Sequence, residues 1–236
     1  MIEFNTYSLK ARVYPSVIVL FPCFILAIVY VTNVELYYHY FTSFACLGVF
    51  SFVLAQIGRD NGKKKENGLF KYWGGKPTSM ILRHSNDHLD IHTKNRFHAI
   101  LEQTIPNIKI PTQEEEKEDL KAADVIYDSC TKFLISRTRD ASKYSLLFKE
   151  NVNYGFRRNL WGMKTWAIWI IAICLLIHSY IITQYFTSIE TISTKDWMLL
   201  SLFVLFLFFW LLIVNREWVK TTAFAYAERL YETIHE

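Results

Sequence analysis

Residues 83–98 read RHSNDHLDIHTKNRFH and hold four of the chain's seven histidines, with Asp87 and Asp90 between them. Imidazoles and carboxylates this close together are the raw material of a metal site. The spacing argues against a single cage. His84, His88 and His92 recur every four residues, so on a helix the outer two stand about 12 Å apart along the axis, too far for one ion. On a strand they stand further apart still. The zinc-protease pattern H-E-x-x-H needs a glutamate after the first histidine, and neither adjacent pair has one. Ser85–Asn86–Asp87 also reads as a turn that interrupts a helix. A metal reading therefore rests on His84 and His88 with a carboxylate from elsewhere, as in a membrane-anchored metal-dependent hydrolase. The favoured expectation is the polar wall of a pocket for an anion.

The surrounding charge points the same way. Arg59, Lys63, Lys64, Lys65, Lys76, Arg83, Lys94 and Arg96 fall within 38 residues, interleaved with Gly58, Gly62, Gly68, Gly74 and Gly75. Glycine loops bring backbone N–H groups close to phosphate oxygens, while Lys and Arg supply charge and forked hydrogen bonds. GGKPT (74–78) lacks P-loop spacing, so the pattern names an anion rather than a fold. Lys63–Lys65 and the pair Arg157–Arg158 serve equally well against anionic lipid headgroups. Arg157 and Arg158 also precede an apolar run, where they are expected to couple the insert to the membrane helices. No G-x-S-x-G motif is present, and neither a catalytic residue nor a cofactor is expected.

These residues are positioned by a chain that is 52% apolar, high for a soluble domain. Four stretches contain no Lys, Arg, Asp or Glu: 13–32, 37–57, 165–183 and 197–215. Each is long enough to cross about 30 Å of hydrocarbon as a helix. Lys10 and Arg12 before the first run have the form of a signal peptide. The run's length, Pro15 and Pro22 read instead as a retained helix. No span carries an acidic or basic residue that would mark an ion path, and His178 is the one candidate at depth. Between them the short connections 33–36 and 184–196 carry a single basic residue, Lys195. The rule that positive loops stay inside then places both termini and 58–164 in the cytoplasm, the bilayer being the inner membrane. None of the four cysteines has C-x-x-C spacing.

The expected fold is an α-helical membrane protein. Its parts are an N-terminal segment and hairpin (1–57), a basic, mainly helical cytoplasmic domain (58–164), a second hairpin (165–215) and a C-terminal helix (216–236). The central part has 20 Lys and Arg against 14 Asp and Glu. GRDNGKKKENG (58–68) is expected as a basic loop, 111–138 as one helix with a Thr112–Glu115 capping box, and the EEEKED run as its solvated start. Val219, Ala223, Tyr226, Leu230 and Ile234 share one helical face in the tail, which is expected to pack on the insert.

This layout resembles the membrane effectors of bacterial nucleotide-signalled anti-phage systems, in which a cytoplasmic sensor is fused to a few membrane helices. The order of GRDNGKKKE, WGGKPT, TRD and NYGFRRN is also similar to a bacterial membrane-protein family with no assigned activity. The expectation is a non-enzymatic effector or receptor, homo-oligomeric or part of a larger complex. Its cytoplasmic part binds an anionic ligand such as a nucleotide and changes the packing or permeability of the bundle. A structural, partner-binding subunit is the further alternative.

Overall fold

The computed structural model describes residues 6–30, 36–185 and 192–235. Among them all regular structure is helical. A short helical lead-in, Thr6–Val13, runs into α1 (Tyr14–Tyr30). Then follow α2 (Leu36–Trp73), α3 (Pro77–Met80), α4 (Ile91–Thr104), α5 (Gln113–Glu118) and α6 (Leu120–Arg137). The last three are α7 (Ser145–Tyr185), α8 (Thr194–Phe208, extended by a π-helical turn to Ile213) and α9 (Arg216–Glu232). The chain divides into a first unit, 1–65 with 155–218, and a second, 66–154 with 219–236. The expected boundaries at 58 and 164 thus fall inside α2 and α7.

The first unit carries the apolar helices. α1 with its lead-in, α7 and α8 are long and apolar enough to cross a membrane. The expected second span, 37–57, lies in α2 and is not among these three; most of its first ten side chains, and residues 33–35 and 186–191 of the expected connections, lie outside the described residues. α7 shows the pattern of a lipid-facing helix. It buries Ala167, Ile171, Cys174 and His178 at spacings of four, three and four, yet its other sides carry Trp169, 65% exposed, and Leu176, 70% exposed. A water-facing helix would place polar residues there; apolar residues all round are the signature of a span.

The segment expected as a basic loop, 58–68, is instead helical: α2 continues through it to Trp73. Two of its glycines, Gly58 and Gly62, serve helix contact rather than turn formation. A Cβ on Gly162 of α7 would lie 2.6 Å from the Gly62 nitrogen, and one on Gly62 2.8 Å from Asn159 Oδ1. Glycines at 58 and 62 thus let two helix backbones touch, the small-residue packing common between membrane helices. Lys65 closes the crossing by donating to the Gly162 carbonyl at 3.1 Å, and burial lowers its pKa.

In the second unit α2 stops where Gly74 takes φ +89°, and the Gly75 N–H returns 2.8 Å to the Phe70 carbonyl. This is the glycine-dependent Schellman stop. Pro77 then opens α3 as its first residue. The core packs Ile81, Leu82, Phe97, Leu101, Tyr127, Cys130 and Leu134 against Ala227, Leu230 and Tyr231 of α9, with Tyr226 and Ile234 at its edge. The tail helix therefore packs on the insert, as its apolar face predicts. The expected helix 111–138 is two helices. Thr112 and Glu115 form the capping box of α5, and Asp119 breaks the run by capping α6, accepting from the N–H groups of Lys121 and Ala122.

Glycine substitutions should separate these roles by sign. Gly162→Ala should lower stability by about 2 kcal/mol, an overpacking cost. Gly68→Ala, with nothing within 4 Å of the added methyl, should raise stability by up to about 1 kcal/mol through helix propensity. Thermal unfolding of the detergent-purified protein measures both.

Candidate functional site

The first part of the histidine segment, 83–90, is a connection between α3 and α4, held in place by a carboxylate from α5, while His92 and His98 lie on α4 itself. Glu116, 3% exposed, accepts from the His84 N–H at 2.8 Å, the Ser85 N–H at 3.1 Å, the Ser85 hydroxyl at 2.8 Å and the Tyr127 hydroxyl at 2.7 Å. Burial pushes this carboxyl up, but the four donors outweigh it and hold its pKa below the usual range. Lys94, 2% exposed, reaches from α4 to the carbonyls of His84 and Asn86. Its pKa is lowered by burial, against the pull of Asp87 and Glu116.

Two of the four imidazoles are spent on the same task. His84 Nε2 lies 2.9 Å from the Pro111 carbonyl and His98 Nε2 lies 2.8 Å from the Leu82 carbonyl, so each donates there. Their rings meet edge to face at 4.9 Å. Burial lowers the His98 pKa, partly offset by its bond to Leu82. His88 instead faces Glu228 of α9 at 3.4 Å. Among the described residues no three His, Cys, Asp or Glu side chains come together as metal ligands.

The eight expected anion-binding residues are divided between the units. Arg59, Lys63, Lys64 and Lys65 ride on α2 in the first unit, with Arg59 3.8 Å from its neighbour Asp60. Arg157 belongs there too: it donates to the Trp218 carbonyl at 2.7 Å and lies over the Trp218 ring, beside the buried Arg158. In the second unit Arg96 is exposed and reaches Thr93 on its own helix. Arg83, 7% exposed, makes a forked pair with Asp124 of α6 at 2.8 and 2.6 Å and donates to the Gly74 carbonyl at 3.0 Å. Arg83 and Lys94 therefore hold the fold, with their donors turned inward.

Of the eight, Lys76 faces a cleft. This open cavity of about 880 Å³ lies between the end of α2 and α6, over the Gly74–Gly75 turn, with Lys71, Lys76, Lys132 and Ser129 on its walls. Lys76 and Lys132 share one carboxylate, Asp128, at 2.7 and 3.0 Å. Burial raises the Asp128 pKa, but the two ammonium groups prevail and hold it low. Beyond this triad lies an apolar pocket of about 280 Å³ lined by Phe70, Ile135, Tyr154 and Tyr226, with Lys76, Asp128 and Lys132 again on its wall. Tyr154 and Tyr226 stack at 6.4 Å and 15°, and the Tyr154 hydroxyl is fixed by Glu66. A lysine-bearing cleft and an aromatic-walled pocket thus adjoin, sharing Lys76, Asp128 and Lys132. Asp124, Asp128 and Lys132 escape a reading of basic clusters because α6 is some fifty residues from Lys76. Their spacing of four on one helix was the available signal.

Comparison with protein-family models, curated proteins and solved structures finds no match to this chain.

Glu116→Gln replaces one acceptor oxygen with a donor facing donors, and should cost about 2–3 kcal/mol. The native carboxylate's contribution is present above the ordinary value of 4.5 and is lost as pH falls through its lower folded value. Equilibrium unfolding against pH should show a steeper acid limb in the native protein than in the variant, which keeps the contribution of other low-pKa carboxyls such as Asp128.

Proposed function

We propose that this chain is a membrane-anchored receptor or effector whose second unit binds a nucleotide or similar anion carrying an aromatic ring. The observation that supports this reading is the Lys76–Asp128–Lys132 triad, which borders both the cationic cleft and the aromatic pocket. In the bound state the phosphate lies over Gly74–Gly75 among Lys71, Lys76 and Lys132, and the base lies against Phe70 and Tyr226. Each ammonium gives one of its three N–H donors to Asp128 and keeps two for the ligand.

The reading places the second unit in the cytoplasm and the apolar helices in the inner membrane. There, binding shifts helix packing in a homo-oligomer or a larger membrane complex. Arg157, clamped to Trp218, and Arg158 are the coupling residues on the membrane side. That arrangement resembles a nucleotide-signalled anti-phage effector, the class the sequence layout points to.

Thermal unfolding of the purified protein with mono-, di- and cyclic oligonucleotides tests this. A ligand at a hundredfold excess over its Kd should stabilise by about 2.7 kcal/mol. Lys76→Glu with Lys132→Glu should abolish the shift. Tyr226→Ala should weaken nucleotides while leaving the response to inorganic pyrophosphate intact. No shift with any nucleotide or with pyrophosphate would sink the proposal.

A further inference from the structure

The apolar helices of the first unit bring two thiols together. Cys23 of α1 and Cys174 of α7, 151 positions apart in the chain, have their sulfurs 3.8 Å from each other. Each stands at the middle of its charge-free stretch. Ten residues of 13–32 precede Cys23 and nine follow it, and 165–183 has nine on either side of Cys174. In helices that cross a bilayer, the middle of such a stretch is about 15 Å from water. We infer that Cys23 and Cys174 form an oxidisable dithiol in the hydrocarbon, which a membrane quinone converts to a disulfide that staples α1 to α7. This rests on the reading of α1 and α7 as spans, and is independent of the cleft in the second unit.

The two thiols have different surroundings. Cys174 is 1% exposed, packed with Leu199 and Phe203 of α8 and beside Ile25 and Leu26 of α1. Cys23 is exposed. In a bilayer that exposed side meets acyl chains, so Cys23 is open to reagents that dissolve in them. Glutathione, which keeps cytosolic thiols reduced, stays in water. A disulfide holds its sulfurs about 2.05 Å apart, so about 1.75 Å remains to be closed. Pro22, next to Cys23, lies inside α1. It has no N–H to give the Ile18 carbonyl, so this turn of α1 lacks one rung and can take up the movement.

In the reaction two S–H bonds break and one S–S bond forms. The two electrons and two protons pass to the quinone oxygens, giving a quinol, and quinones are known acceptors for electrons drawn from protein dithiols. The closed loop is long, which is where a cross-link removes most freedom from the unfolded chain. The disulfide therefore holds α1 against α7 more firmly than packing alone.

The full chain in lipid vesicles, reduced and then treated with decylubiquinone, tests the site. Peptide mapping after alkylation should find Cys23 joined to Cys174, with quinol formed in equal amount. Cys174→Ser should lose both the link and the quinol, whereas Cys46→Ser with Cys130→Ser should keep them. The oxidised native protein should unfold at a higher temperature than the reduced one, and Cys174→Ser should show no such difference. Oxidised glutathione, confined to water, should form no link in the time the quinone takes. No link with the quinone, or a quinone adduct on Cys23 in its place, would overturn the dithiol. A link formed as fast by glutathione would overturn its place in the hydrocarbon, and a link with no rise in unfolding temperature would overturn the staple. Nucleotide binding is read separately, by the thermal shift of the reduced protein, so either reading can fail without the other.

Discussion

The second unit depends on one carboxylate. Segment 81–90 contains no long helix to organise it, yet it carries His84 and His88 and joins α3 to α4. Glu116 supplies what the segment lacks: four acceptor contacts to two backbone amides, a serine and the core tyrosine Tyr127. Burying a carboxylate is expensive unless its lone pairs are filled, and here they are. Lys94 completes the arrangement from the opposite charge, donating to the segment's carbonyls. Amides meet an anion and carbonyls meet a cation, so the connection is cross-braced without secondary structure of its own.

Arg83 extends the brace to the cleft. Its fork on Asp124 fixes α6, and its third bond fixes the Gly74 carbonyl. Arg83 is buried but the Asp124 side chain is 32% exposed, so breaking this pair costs less than breaking a fully buried one. The turn beneath the cleft is thus set by the packed core, and Lys71, Lys76 and Lys132 project from fixed backbone.

Elements governed by local chemistry were legible in the sequence. The capping box at Thr112 and Glu115, Pro77 at a helix start and the apolar face of the tail all follow from neighbours within one or two turns. Residues whose role is set by distant partners were not. Glycines at 58 and 62 look like loop residues until Gly162, a hundred positions on, shows that they make room for a crossing helix. Glu116 looks like one more solvated acid in EEEKED because nothing local marks it as the one facing inward. Arg83 and Lys94 count toward a basic cluster in the sequence, but their charge is consumed by Asp124 and by backbone carbonyls. Asp196 reads as a loop residue beside a span, and only the helix beginning at Thr194 turns it toward His178.

Asp128 gives the cleft a built-in occupant. Its carboxylate already bridges Lys76 and Lys132, so the lysines are a loaded ion exchanger rather than an empty trap. A monovalent anion entering there can do little more than replicate a counter-ion held at no translational cost. A guest with several charges on neighbouring oxygens can engage the remaining ammonium hydrogens and Lys71 together, and so outcompete the resident. In the proposed receptor, such an internal competitor would filter small anions by valence, before shape or base identity comes into play.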